Sequence, residues 1–157
     1  MKNRPYPRWL SRLFILCVAA LTFTGFMQMP LAKRYALTAV PGMAWTGDFF
    51  LVHRMHYVLG ALFLFVIGLA AANWLRSWRR ELTLTRLGSA RAVAVGGLAV
   101  SGLLRVYRNL PDVTLDPLWI VTIEWVHLTL VMVLGVLALV ALVRGASAYA
   151  VRKRYVS

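Results

Sequence analysis

Residues 118–143 read LWIVTIEWVHLTLVMVLGVLALVALV and contain only two ionisable side chains, Glu124 and His127. A helix rises about 1.5 Å per residue, so this run is long enough to cross a hydrocarbon core of about 30 Å. Three similar apolar runs lie at about 10–29, 49–73 and 90–107. Single strands would leave unpaired backbone groups in lipid, so the runs predict helices. We therefore predict an all-α fold, an integral membrane four-helix bundle in a single domain over residues 1–157.

The composition supports a membrane protein and excludes several classes of function. The chain is 61% hydrophobic and 15% charged, which is too apolar for a soluble enzyme domain or for a disordered chain. Its net charge of +13 would suit nucleic acid, but the basic residues lie between apolar runs, so we expect lipid and no nucleic acid as a partner. The single Cys17 and the absence of C-x-x-C-H exclude an internal disulfide, a cysteine-ligated iron–sulfur cluster and covalently attached haem.

Local signals mark the ends of the predicted helices. Asp48 and Ser89 are expected to cap the second and third helices, and Asp116 followed by proline is expected to cap the fourth. Basic residues precede the first run, as in a signal peptide, but no small-x-small cleavage site follows it. We therefore expect the first run to be retained as a helix.

The distribution of charge predicts the orientation in the membrane. Most of the 18 Lys and Arg residues lie at the N-terminus, between the second and third runs, and at the C-terminal end. Four of the five acidic residues lie toward the opposite side, namely Asp48, Asp112, Asp116 and Glu124. By the positive-inside rule, both termini are predicted to be cytoplasmic.

All three histidines lie within predicted spans, His53 and His56 in the second and His127 in the fourth. Ionisable groups inside a membrane are costly and usually functional, although one histidine alone is more often a packing residue. Counted from the outer helix ends, His56 lies roughly 10 Å deep, His127 about 14 Å and His53 about 6 Å. Two imidazoles that bind one iron from opposite sides need similar depths, and His56 and His127 meet this condition.

These features predict one haem b near the outer face, with His56 and His127 as axial ligands of the iron. His53 precedes His56 by one turn and stays open as an alternative ligand, a propionate partner or part of a quinone site. Basic side chains toward the outer surface are candidates to bind the haem propionates, or else they extend to the interface without a ligand. They are Arg54, Arg105 and Arg108.

Glu124 lies one turn before His127, so the fourth run carries Glu-x-x-His where the second carries His-x-x-His. A di-iron centre would need four carboxylates and is not expected. A mononuclear zinc, iron or copper site from His53, His56, His127 and Glu124 stays open, and Glu124 also suits a proton relay or a hydrogen bond to quinone. Small residues in the third run (Ala92, Gly96, Gly97, Ser101, Gly102) would let a helix or a flat ring approach closely.

Three segments together resemble the cytochrome b membrane subunits of respiratory formate dehydrogenases and nickel–iron hydrogenases. They are residues 21–30 (LTFTGFMQMP), 52–60 (VHRMHYVLG) and 124–127 (EWVH). The resemblance implies a subunit that anchors a periplasmic dehydrogenase and passes electrons through haem to quinone. That family binds two haems, but here the first helix has no histidine and the fourth has one. The resemblance therefore implies a single-haem relative with His56 and His127 as ligands and His53 as the competitor.

We thus expect a subunit that relays electrons between a periplasmic or membrane-bound redox partner and the quinone pool. It would belong to a larger respiratory or photosynthetic redox complex rather than act as an enzyme alone. A periplasmic iron–sulfur protein or a cytochrome c would be a suitable partner. Two alternatives stay open: a subunit with a non-haem metal or quinone site, and a non-catalytic anchor, assembly or pigment-binding subunit.

Overall fold

The computed structural model of the protein describes residues 6–30, 34–35 and 37–153. Its four long helices are α1 (Arg8–Met27), α2 (Phe49–Asn73), α3 (Arg86–Tyr107) and α4 (Pro117–Val143). Each of them is long and apolar enough to cross a membrane. The prediction of four apolar spanning-length helices is confirmed, with ends that lie within a few residues of those read from the sequence.

Two of the predicted helix caps are confirmed and one is wrong. Asp48 accepts a hydrogen bond from the Leu51 amide at 3.0 Å, and Asp116 accepts one from the Leu118 amide at 2.8 Å. The third helix is capped by Thr85, whose Oγ1 accepts from the Gly88 amide at 2.9 Å, and not by Ser89. The apolar pattern placed this start too late because the first turn of α3, residues 86–89, contains an arginine, a glycine and a serine, which a search for apolar runs leaves out.

The described chain divides into two compact units, which we call hairpin A (residues 6–76) and hairpin B (residues 77–153). In hairpin A, α1 packs against α2, and the Phe14 and Phe63 rings meet with centroids 5.7 Å apart. In hairpin B, α3 packs against α4. Along each pair of helices, residues with increasing numbers on one helix contact residues with decreasing numbers on the other. The two helices of each hairpin are therefore antiparallel.

The connection within hairpin A contains two short 3₁₀ turns, Leu37–Ala39 and Ala44–Gly47. At this end of the hairpin, Met27 and Val52 are buried, and Leu37 and Met43 from the connection pack against them. This small apolar cluster joins the loop to both helices. It holds the end of the hairpin at which the polar groups described below are located.

The chain passes from hairpin A to hairpin B through a π-helical segment, Trp74–Trp78, and a short helical turn, Arg79–Glu81. In hairpin B, strand β1 (Leu82–Leu84) then pairs antiparallel with strand β2 (Ala150–Arg152), which follows α4. The region between the second and third spans, which the sequence marked only as a basic connection, therefore contains a strand. The pairing ties the chain after α4 to the start of α3.

Arg91 fixes the same junction from inside. This arginine is only 5% exposed, and its Nη2 donates to the Ser147 carbonyl oxygen at 3.3 Å. Its Nε donates to the Leu87 carbonyl oxygen at 3.2 Å, and its guanidinium lies 4.1 Å from the centroid of the Tyr149 ring. Burying a charged group is costly unless its donors find acceptors, and here backbone carbonyls and an aromatic face provide them.

The long helices expose large apolar side chains along much of their length. Phe50 is 74% exposed, Val93 75% and Val143 79%. A soluble bundle buries the apolar stripe of each helix and exposes polar side chains on the other face. Apolar side chains that point outward suit helices surrounded by lipid, as their length and composition predict.

Candidate functional site

In hairpin A, a buried hydroxyl on α1 holds a histidine of α2. Thr24 is 1% exposed, and its Oγ1 lies 2.8 Å from His56 Nδ1. The same hydroxyl lies 2.9 Å from the Ala20 carbonyl oxygen, one turn back on α1. A Cβ added at Gly25 would lie 3.4 Å from His56 Cε1, so glycine leaves room for the imidazole against α1. Thr24 and Gly25 are adjacent on α1, which runs antiparallel to α2, so both residues lie next to the same imidazole.

A second polar contact lies one turn further along the same pair of helices. Gln28 Oε1 lies 2.8 Å from His53 Nδ1, and Gln28 Nε2 donates to the Thr24 carbonyl oxygen at 3.1 Å. Because an amide oxygen only accepts, His53 donates through Nδ1. The His53 ring also stacks on Phe49, with centroids 5.4 Å apart and an interplanar angle of 16°. His53 is thus held by an amide and an aromatic face, in a different setting from His56.

Hairpin B repeats the hydroxyl–imidazole contact. Ser101 on α3 is 3% exposed, and its Oγ lies 2.8 Å from His127 Nδ1 on α4. The serine hydroxyl also lies 3.2 Å from the Leu98 carbonyl oxygen. A Cβ at Gly102 would lie 3.7 Å from His127 Cε1. Of the small residues expected to allow close approach on α3, Gly97, Ser101 and Gly102 lie close to side chains of α4, whereas a Cβ at Gly96 would have nothing within 4 Å.

One turn further along hairpin B, two arginines bind a single carboxylate. Arg105 Nε lies 3.2 Å from Glu124 Oε1, and Arg108 Nη2 lies 2.6 Å from the same oxygen. The three side chains are partly buried, at 22%, 19% and 38% exposure. Two guanidinium groups against one carboxylate leave the cluster with a net positive charge. Glu124 is thus an ion-pair partner within its own hairpin.

The two hairpins therefore carry the same two layers of polar contacts. We call the hydroxyl–histidine contacts the imidazole layer (Thr24–His56 and Ser101–His127) and the next contacts the polar layer (Gln28–His53 and Arg105–Glu124). In each hairpin, glycine follows the hydroxyl residue and a polar residue lies four positions after it. On the partner helix, the polar-layer residue lies three positions before the histidine. The spacing of the histidines was predicted from the sequence, but their hydroxyl partners were not. The recurrence of Thr-Gly and Ser-Gly in the sequence could have indicated these partners.

The one remaining candidate lies apart from these layers. Arg54 is exposed on α2 and borders a shallow groove with Met55, Val58 and Leu59. Within neither hairpin do three or more His, Cys, Asp or Glu side chains of the described residues gather as a metal ion would require. The imidazole layer and the polar layer are thus the chemically distinctive groups that each hairpin provides.

Comparison of the chain with models of known families, with curated proteins and with solved structures finds no match. Any functional conclusion therefore depends on the arrangement of these side chains.

Proposed function

We propose that the protein is a b-type cytochrome subunit in which His56 and His127 would hold the iron of one haem. The observation that carries the proposal is the imidazole layer, in which a buried hydroxyl of the neighbouring helix holds each histidine through Nδ1. Histidines that bind a metal through one ring nitrogen almost always donate the other N–H to an oxygen acceptor. Two histidines held in this way fit the donor set of a bis-imidazole haem.

The repeated layers favour His56 over His53 as the ligand. His56 shares with His127 a hydroxyl partner, an adjacent glycine and the same position relative to the polar layer. His53 instead corresponds to Glu124 and is bound to Gln28. If both hairpins contribute equivalent ligands, His56 is the one to pair with His127, and His53 belongs to the polar layer.

The arginine cluster of hairpin B is a candidate binding site for haem propionates. Arg105 and Arg108 share one carboxylate oxygen of Glu124, so the excess positive charge suits a further carboxylate. The cluster lies one turn from His127 on the same pair of helices. On hairpin A, the exposed Arg54, which follows His53 on α2, is the remaining propionate candidate.

When bound, the haem supplies one-electron transfer, and the residues named here hold it and set its surroundings. We place the site near the outer side of a bacterial cytoplasmic membrane, with both chain ends in the cytoplasm. In this position the subunit would pass electrons between a periplasmic or membrane-bound partner and quinone. The resemblance to the cytochrome b subunits of formate dehydrogenases and hydrogenases supports a role within a larger complex.

The test is the dithionite-reduced minus oxidised absorbance spectrum of the purified chain, with haem counted by extraction into alkaline pyridine. We expect one haem per chain in the unaltered protein, and loss of that haem in His56→Ala and in His127→Ala. His53→Ala serves as the matched control in the neighbouring layer and should retain haem. Loss of haem in His53→Ala but not in His56→Ala would transfer the ligand role to His53.

Absence of a haem band, also after reconstitution with haem, would overturn the proposal. Stoichiometric zinc, copper or non-haem iron in the purified chain would then indicate the alternative metal site. A far-red chlorin band that is lost in the two histidine variants would instead indicate a pigment-binding subunit.

A further inference from the structure

We infer that Thr24 and Ser101 are positioning residues that fix the tautomers of His56 and His127. The inference rests on the proposed function, because the tautomer decides which ring nitrogen can bind iron. It concerns the hydroxyl groups themselves, which would otherwise be ordinary packing contacts between helices.

In hairpin A, the direction of the hydrogen bond follows from the single proton of a hydroxyl group. Thr24 Oγ1 lies 2.9 Å from the Ala20 carbonyl oxygen and 3.3 Å from that of Leu21. A carbonyl oxygen only accepts, so the threonine proton is donated within α1. The hydroxyl oxygen then faces His56 Nδ1 as an acceptor, and the imidazole must donate Nδ1–H across the 2.8 Å contact. In the neutral ring, the lone pair consequently lies on Nε2.

The same reasoning applies to hairpin B. Ser101 Oγ donates to the Leu98 carbonyl oxygen at 3.2 Å and accepts from His127 Nδ1 at 2.8 Å. Both hydroxyl residues are almost completely buried, at 1% and 3% exposure, so water has little access as a competing partner. Each hairpin thus directs an Nε2 lone pair by the same chain of two hydrogen bonds, from imidazole to hydroxyl to helix carbonyl.

A hydroxyl acceptor also affects how strongly the imidazole binds a metal ion. When the hydroxyl oxygen accepts Nδ1–H, the electron density at Nε2 rises. The bond from Nε2 to a metal ion would then be stronger, and the oxidised state of a bound iron would be favoured. An uncharged hydroxyl does this less than a carboxylate does. Removal of either hydroxyl should therefore move the midpoint potential in the same, positive direction.

The variants are Thr24→Val and Ser101→Ala, each with a matched control on a helix of the same hairpin. Thr22 Oγ1 donates to the Val18 carbonyl oxygen at 2.8 Å, and Thr122 Oγ1 to the Leu118 carbonyl oxygen at 2.7 Å. Both control hydroxyls are exposed and bind no histidine. Thr22→Val and Thr122→Val therefore remove the same kind of helix hydrogen bond without touching an imidazole.

The first measurement uses the full chain without haem, with ¹⁵N-labelled histidine and with helix content checked by circular dichroism. We expect nitrogen chemical shifts of the Nδ1–H tautomer for His56 and His127, and a mixture of tautomers for the affected histidine in each variant. The control variants should match the unaltered chain. An Nε2–H tautomer in the unaltered chain, or unchanged shifts in both hydroxyl variants, would overturn the inference.

The second measurement uses the haem-loaded chain. We expect haem affinity to fall about 10- to 100-fold in Thr24→Val and Ser101→Ala, with a positive shift of the midpoint potential. Thr24→Ser and Ser101→Thr keep a hydroxyl and should restore both properties. Lower thermal stability with an unchanged potential would mean that the hydroxyls only pack, and the inference would then be wrong while the haem proposal stands. Absence of haem from the unaltered chain would instead contradict the proposed function, and the nitrogen shifts would still decide the tautomers.

Discussion

At the scale of single residues, Glu124 has a clear structural role besides the functional one expected for it. One of its oxygens accepts from both Arg105 and Arg108, so it neutralises part of the positive charge that the end of α3 brings against α4. Two like charges that lie close together repel, and an opposite charge between them offsets this repulsion. The glutamate therefore helps to hold the two helices together next to the imidazole layer.

We predict that Glu124→Gln lowers the free energy of unfolding by about 1 kcal/mol, because the two guanidinium groups lose their counter-charge. The effect is modest because the Glu124 side chain is 38% exposed. Denaturant unfolding in detergent micelles, followed by tryptophan fluorescence, measures it. Glu81→Gln is the matched control, since Glu81 has no ion pair with another described residue. Equal stability of the two variants would contradict the prediction.

At the scale of elements, the junction between α3 and the chain after α4 depends on a glycine. A Cβ at Gly88 would overlap with the Tyr149 carbonyl oxygen, a backbone atom that cannot rotate away as a flexible side chain could. The Thr85 amide donates to that same carbonyl at 3.0 Å, and β1 pairs with β2 directly beside it. The close approach of the two backbones thus supports both the cap of α3 and the short sheet.

Gly88→Ala should therefore separate the segment that contains Tyr149 from α3 and cost about 1–3 kcal/mol of stability, as overpacking does. Hydrogen–deuterium exchange should become faster at β1 and β2 and stay unchanged at the middle of α4. Gly96→Ala is the control on the same helix, where nothing lies within 4 Å of the added Cβ. Slow exchange at both strands in the Gly88→Ala variant would show that the junction tolerates a side chain.

At the scale of the whole molecule, the charge distribution predicts the orientation of the four helices in the membrane. Basic residues cluster around the start of α1, from the end of α2 to the start of α3, and after α4, which places these three segments on the same side if each helix crosses once. The opposite orientation would require several arginines to cross the membrane, which the positive-inside rule disfavours. Both ends of the chain are therefore expected in the cytoplasm.

We predict that a fluorescent protein fused to the C-terminal end folds and fluoresces, whereas alkaline phosphatase fused there is inactive because it matures only outside the cytoplasm. Fusions within the α1–α2 connection, at Gly42, should show the opposite pattern. The same result at both positions, or the reverse of this pattern, would disprove the predicted orientation.

The sequence by itself determined the number, length and approximate ends of the helices. Apolar runs and caps such as Asp48 and Asp116 are local signals that act within one segment. Only the tertiary structure decided which side chains meet: Thr24 with His56, Ser101 with His127, and Glu124 with two arginines. The physical reason is that α2 and α4 are apolar nearly all round, so no periodicity marks the face that packs. Their rotation and register are set by contacts with a partner helix, which a single segment of sequence does not contain.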